Sequence, residues 1–219
     1  EQAQERLGRD ERYVYVAANA YRLPFVAGLF DAVTMIRTLH HMADAPCALS
    51  QVSAVMRPGG TFILEYANKQ NLKAIFRYLL RRQSWNPFSP EPVEFAALNF
   101  DFHPGAIRKW LLEAGLTIER QLTVSHFRIG LFKRLLPLGL LVKLDSLAQW
   151  TGDWWQLSPS VFLRARAPHG KAEASSGLFF RCPACGAHPL IETSGAMVCP
   201  SCSRQWAVHD GIYDFRVEG

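Results

Sequence analysis

The sequence predicts an α/β fold with a largely parallel sheet, followed by a small, cysteine-rich β module. Three observations carry this. Strand-like and helix-like segments alternate through roughly the first 165 residues. Composition then changes abruptly: the run from Ala167 to Gly177 has no periodicity and no large apolar side chain, the signature of a linker. Beyond it, Leu178 to Gly219 holds four of the five cysteines and is too short to build a large core.

The elements follow in order. Tyr13–Ala17 is a β-branched and aromatic run, and Phe30–Ile36 is a second short apolar run of the kind buried on both faces of a parallel sheet. Asp44 caps a predicted helix carrying Leu49, Val52, Val55 and Met56, which Pro58-Gly59-Gly60 stops. Thr61–Leu64 is the next strand. Asn68 or Asn71 then caps a helix with Leu72, Ile75, Phe76, Leu79 and Leu80 on one face. A further helix has Pro104 in its first turn, lines Ile107, Trp110, Leu111 and Ala114 along one face, and ends at Gly115. Thr117–Val124 and Ser160–Ala165 are the closing strands. Cys47, on the first of these helices, reads as an inert buried thiol.

Composition excludes several classes. With 49% hydrophobic and 20% charged residues the chain can offset its ordering entropy, so it is not disordered. Glycine and cysteine are too sparse for a collagen or a disulfide framework. The longest nearly uncharged apolar run, Leu135 to Val142, is eight residues, against the ~20 of a membrane-spanning helix. The net charge of +5 divides into +6 on residues 1–177 and −1 on the module. Nucleic acid is therefore not an expected partner of the module. No secretory signal is visible, and a cytoplasmic location is the expectation.

Four segments, in order and spacing, resemble class I S-adenosylmethionine-dependent methyltransferases of the small-molecule type. They are Ala18-Asn19-Ala20-Tyr21-Arg22-Leu23-Pro24-Phe25, Phe30-Asp31-Ala32-Val33, Leu39-His40-His41-Met42 and Met56-Arg57-Pro58-Gly59-Gly60-Thr61-Phe62-Ile63-Leu64. Trp110 to Leu116 resembles the family's helix and turn before its last two strands. The resemblance implies a partial Rossmann-like methyltransferase sheet with helices on both faces over residues 1–166, with 167–177 as linker and 178–219 as a zinc ribbon. It implies S-adenosylmethionine as cofactor, held by Asn19 and Ala20 at the adenine and by Ile36 and Arg37 after the following strand. Asn19 stands where the family usually has aspartate, and its amide oxygen can still accept from the adenine amino group. Met35 and Ile36 are bulkier than the family pattern.

The family's Gly-rich loop and the acidic residue that holds the ribose have no counterpart in the sequence. Both would lie before Glu1. The expectation is that these 219 residues hold the carboxyl-terminal part of such a domain, form an incomplete enzyme, and bind S-adenosylmethionine poorly on their own.

His40 and His41 follow the cofactor edge and are the candidate catalytic bases, needed where the acceptor loses a proton. A packing role for one and a capping role for the other is the competing reading. Glu65, Tyr66 and Asn68 end the next strand and could meet the acceptor, with Asn68 also a possible cap. Between Ser84 and His103, Trp85, Phe88, Phe95, Phe100 and Phe102 lie among Pro87, Pro90 and Pro92 in an irregular stretch. Such a loop suits an apolar or lipid-like acceptor, or else staples itself to the core. Lys69, Lys73, Arg77 and Arg81 recur every four residues, with Arg82 beside them, as one basic stripe. The stripe is either a solvated face or the site of an anionic partner. Phe127 to Val142 mixes leucines and phenylalanines with Arg128, Lys133 and Arg134, and reads as a helix over the sheet or a peripheral membrane contact.

In the module, Cys182-Pro183-Ala184-Cys185 and Cys199-Pro200-Ser201-Cys202 are two CxxC turns with 13 residues between them. Each turn points two thiolates at one place, and four complete a tetrahedral zinc site. His188 and His209 are not needed as ligands. Asp210-Gly211 between Gln205–Val208 and Ile212–Phe215 signals a hairpin. The module resembles short zinc ribbons found beside methyltransferases, including the activator type that binds tRNA and protein methyltransferases. The functional expectation is methyl transfer to a small-molecule or lipid-like acceptor. The alternative is a non-catalytic adaptor that docks a protein through its ribbon.

Overall fold

In the computed structural model, residues 2–127, 134, 136–170 and 172–216 are described. The chain divides into two compact units, Phe30–Lys171 and a second made of Glu1–Leu29 with Ala172–Gly219.

The larger unit is built on a four-stranded sheet. Its strands are β2 (Phe30–Met35), β3 (Met56–Ala67), β6 (Thr117–Val124) and β7 (Ser160–Arg166), in the order β2-β3-β7-β6. Only β2 and β3 pair in parallel; β7 runs antiparallel to both of its neighbours. The expected largely parallel sheet is therefore corrected to a mixed one. Strand periodicity specifies which side chains share a face but carries no direction, so the antiparallel insertion of β7 was not legible.

Helices α2 (Ala45–Val55) and α4 (Pro104–Glu113) cover one face of this sheet. Leu49, Val52, Ile107 and Leu111 from the helices close over Phe62, Leu64, Tyr66, Val161, Leu163 and Ala165 from the strands. Alternation is strict along the centre of β3 and β7, where Phe62, Leu64, Val161 and Ala165 are fully buried and Ile63, Phe162 and Arg164 face the other way. On that opposite face Ile63, Leu122, Val124 and Phe162, with Arg120 and Arg164, line a hollow of about 250 Å³.

The predicted caps hold. Asp44 accepts from Cys47 N–H, and Asn71 rather than Asn68 caps α3 (Leu72–Leu79) by accepting from Ala74 N–H. The His103 ring accepts from Gly105 N–H to start α4, and Gly115, at φ +78°, ends it. The Arg57-Pro58-Gly59-Gly60 segment ends α2 but belongs to β3, which starts directly at Met56. Gly60 there lies so near Phe30, Asp31 and Arg57 carbonyls that a Cβ would stand 3.0–3.2 Å from them.

The outer edge of β6 is closed by side chains. Asp153 accepts from Gln121 N–H, and Asp145 of α5 (Leu138–Gln149) accepts from Ser125 and His126 N–H. Unpaired strand edges invite association; here carboxylates take the place of a further strand. The Phe127–Val142 segment resolves into α5 at its end, while Arg128 and Lys133 lie outside the described residues. The stretch from Ser84 to His103 is not wholly irregular, since β4 (Val93–Ala96) and β5 (Asn99–Asp101) form a hairpin within it.

The second unit has its own five-stranded sheet, in the order β1-β11-β10-β9-β8. Its strands are β1 (Tyr15–Ala18), β8 (Ile191–Thr193), β9 (Ala196–Val198), β10 (Gln205–His209) and β11 (Ile212–Phe215). β10 and β11 form the expected hairpin, with Asp210 and Gly211 both at positive φ. β1 pairs in parallel with β11, from Tyr15 with Ile212 to Ala18 with Phe215. The first 29 residues thus group with the cysteine module rather than with residues 30–166. Both strands present backbone groups that need partners, and Phe25 stacks on Phe180 in the same core. The 167–177 segment is tethered at both ends. Ala167 exchanges backbone hydrogen bonds with Gly59 and Gly60, and Ala174 N–H bonds Gly28.

Candidate functional site

The carboxyl ends of β2 and β3 lie side by side, because the two strands are parallel and neighbours. After β2 the chain turns at Arg37, whose φ of +55° is rare for a residue with a side chain. Arg37 N–H donates to Glu65 Oε2 at 2.9 Å, and Ser160 O–H donates to Glu65 Oε1. Glu65 is 8% exposed, so these bonds compensate a nearly buried carboxylate. The turn leaves Ile36 half exposed beside Arg37.

Leu39–His41 follow as a short 3-10 turn. The His40 and His41 rings lie 4.0 Å apart between centroids. Partial burial and then the neighbouring His41 push the His40 pKa below its ordinary value, with Arg37 acting the same way against the opposing Glu65. The shift favours the neutral, proton-accepting ring. His41 Nδ1 meets the Leu98 carbonyl at 3.1 Å; since a carbonyl only accepts, Nδ1 is the donor, which orients the ring with Nε2 away from this contact. Leu98 is itself at φ +53°, at the tip of the β4–β5 hairpin, with its N–H bonded to Glu94. This hairpin contact is a positioning element that the sequence did not reveal; the only local signal was the density of aromatics and prolines.

The other residues that end β3 are structural. Tyr66 is fully buried, and its hydroxyl has no hydrogen-bond partner among the described residues. Asn68 is spent on the Gln156 and Ser158 carbonyls and on Gln70 N–H. Lys69 is removed from the expected basic stripe. It precedes α3 and is fully buried, with Nζ donating to Ser89 Oγ at 3.0 Å and to the Glu91 carbonyl at 2.6 Å. Burial lowers its pKa while Glu91 and Asp101 oppose that. Lys69 thus moors the segment between Ser84 and His103. Of the aromatics there, Phe100 and Phe102 join the core, whereas Phe88 and Phe95 are exposed.

Asn19 and Ala20 follow β1, in the smaller unit. Asn19 is exposed, and its Oδ1 accepts from Tyr21 N–H at 2.8 Å, which leaves the oxygen a second lone pair.

The four predicted ligands Cys182, Cys185, Cys199 and Cys202 converge, with all sulfurs within 4.8 Å of one another. Cys182 and Cys202 sulfurs are 3.7 Å apart, and those of Cys185 and Cys199 are 3.5 Å apart. Four sulfurs at ~2.3 Å from a tetrahedral ion would stand ~3.8 Å from each other, whereas a disulfide needs ~2.05 Å. The donor set therefore fits a metal ion and not two disulfides. Matching backbone turns build it: Gly186 N–H bonds the Cys182 carbonyl and Ser203 N–H bonds the Cys199 carbonyl, with Gly186 and Ser203 at positive φ.

A parallel strand pair with a backbone turn and titratable side chains at its carboxyl edge is the ligand edge of an open α/β sheet. Residues 1–64 match the family model described as a methyltransferase domain. That match covers less than a third of the chain, and the curated relatives are likewise similar over only a part of it. The chain is 38% identical over 80 residues to a demethylmenaquinone methyltransferase of Mycolicibacterium paratuberculosis, covering 34% of each chain. It is 40% identical over 55 residues to the 27-O-demethylrifamycin SV methyltransferase of Amycolatopsis mediterranei, covering 25% of this chain and 20% of that one. The matched segments therefore span about a third or less of these relatives' length. Among solved structures, the 1,6-didemethyltoxoflavin-N1-methyltransferase of Burkholderia thailandensis is similar at TM-score 0.45 and 16% identity. That match covers 76% of this chain and 55% of the other. None of the described helices is long and apolar enough to cross a membrane.

Proposed function

We propose that this protein acts in S-adenosylmethionine-dependent methyl transfer to a small, apolar, quinone-like acceptor, at the carboxyl edge of β2 and β3. The observation that carries the reading is the Arg37–Glu65 tie with His40 and His41 beside it, at the end of the segment that matches the family. S-adenosylmethionine, when bound, supplies an electrophilic methyl group on a sulfonium. Ile36 offers an exposed apolar surface and Arg37 a turned backbone for the cofactor. Asn19 and Ala20, on the family resemblance, serve its adenine. His41 Nε2, with its ring oriented by Leu98, takes the proton of a hydroxyl acceptor, and His40 is the second candidate base. Names of the relatives, a demethylmenaquinone and a demethylrifamycin methyltransferase, support an apolar aromatic acceptor, and exposed Phe88 and Phe95 suit one.

The four cysteines would hold zinc as a closed structural site, with no open position for chemistry. A second reading, protein docking through the ribbon, draws on one observation. An apolar hollow of about 350 Å³ in the smaller unit is lined by Phe179, Phe180, Met197 and Tyr213 among others.

The test is methyl transfer by the 219-residue chain, alone and with the Gly-rich strand, loop and helix of a class I domain fused ahead of Glu1. Label from S-adenosylmethionine is expected in a hydroxylated quinone acceptor, with H41A lowering kcat by about 10²-fold. A folded, cofactor-binding extended chain that turns over no such acceptor overturns the proposal.

A further inference from the structure

Helix α3 is amphipathic in the wrong sense for a helix packed on a core. Its inward residue is Ala74, 5% exposed. Leu72, Phe76 and Leu79 are 47%, 56% and 64% exposed, and Leu80 after them is 62% exposed. At about 100° per residue, Leu72, Phe76 and Leu79 fall within about 60° of one another and roughly opposite Ala74. Lys73 and Arg77 lie along one flank of that row, with Arg81 and Arg82 at its end, all four exposed. None of the four has a side-chain ion pair among the described residues. No Asp or Glu occurs from Tyr66 to Pro90. The turn that abuts the start of α3, where Leu72 N–H bonds the Leu157 carbonyl, carries Trp154 and Trp155 at 80% and 56% exposure.

We infer that α3, with the Trp154–Trp155 turn, is a docking surface for an anionic lipid bilayer. The chemistry selects this occupant. Apolar residues projecting away from the body can enter the acyl boundary, with cations on the flank at headgroup level and tryptophan at the interface. A nucleic acid would use the cations and leave the Leu72–Phe76–Leu79 row wet. The inference is independent of methyl transfer, since binding needs no cofactor.

Co-flotation of the 219-residue chain with phosphatidylcholine vesicles, with and without phosphatidylglycerol, tests it. Binding is expected to the anionic vesicles and to weaken with salt. The double variant K73Q/R77Q is expected to weaken it on the order of 25-fold, from the contribution of each basic residue near a charged surface. F76S/L79S is expected to abolish retention, with circular dichroism unchanged because both side chains are exposed. Three results overturn the inference: no flotation with anionic vesicles, binding that neither double variant alters, or a self-associated chain that F76S/L79S makes monomeric while vesicles capture neither form. The last would assign the surface to a second copy of the chain.

Discussion

The backbone N–H of Arg37 and the carboxylate of Glu65, 2.9 Å apart, tie the ends of two parallel strands together. That single bond holds the left-handed turn that presents Ile36 and the histidines. Glu65→Ala leaves Arg37 N–H and the Ser160 hydroxyl without their acceptor. Hydrogen bonds to a charged group contribute about 1.5–3 kcal/mol each, so urea unfolding should show a loss of at least that size. Glu65→Gln, which keeps an acceptor for Arg37, should lose less.

Asp101 gives a pH dependence of opposite sense to an ordinary paired carboxylate. Burial pushes its pKa up to about 6, against the pull of Lys69. Folded chains therefore hold this proton where unfolded chains have released it. The stabilisation is complete below the unfolded value of about 4 and is lost as pH rises through about 6. Chemical denaturation between these limits should show a decline of about 1–3 kcal/mol, and Asp101→Asn should flatten it.

Gly152 lies against the edge of β6. A Cβ there would stand 2.7 Å from the Gln121 carbonyl oxygen and 2.8 Å from Thr123 nitrogen, both backbone atoms. Gly152→Ala should lower stability by about 1–3 kcal/mol, as overpacking does, and a melting curve matching that of the unchanged chain would contradict the packing.

One zinc per chain is expected by metal analysis, and Cys199→Ser should abolish it. Chelation should collapse the amide spectrum of residues 178–216 and leave the β2-β3-β7-β6 sheet folded, because metal binding supplies much of such a module's folding free energy. Retention of a dispersed spectrum in excess chelator would refute the metal site. Phe180, Trp206 and Phe215 give this unit a core of its own, so some residual collapse is compatible with metal loss.

Local signals were legible wherever one residue's chemistry suffices. Asp44 and Asn71 as caps, Gly115 as a stop and Asp210-Gly211 as a hairpin all depend on a few adjacent atoms. The cysteine spacing belongs to the same class, since two short turns need only meet once. What depended on distant segments was not legible. Lys69 reads as the first member of a surface stripe by its spacing, yet it is buried, with its Nζ held by Ser89 and Glu91, 20 and 22 residues away. Tyr66 and Asn68 read as site residues and are instead buried structural groups.

By itself the sequence determined the α/β class, most of the helices and the strands of the larger sheet, the four-cysteine cluster and the methyltransferase resemblance. Each rests on periodicity, turn chemistry or ordered motifs, which act over a few residues. Only the tertiary structure decided that β7 enters antiparallel between β3 and β6, that β1 joins the ribbon sheet, and that His41 is oriented by Leu98. It also decided that the apolar row of α3 faces outward. Strand pairing and burial are settled by which backbone edges and apolar faces remain to be satisfied once the rest of the chain has packed, and no local pattern contains that information.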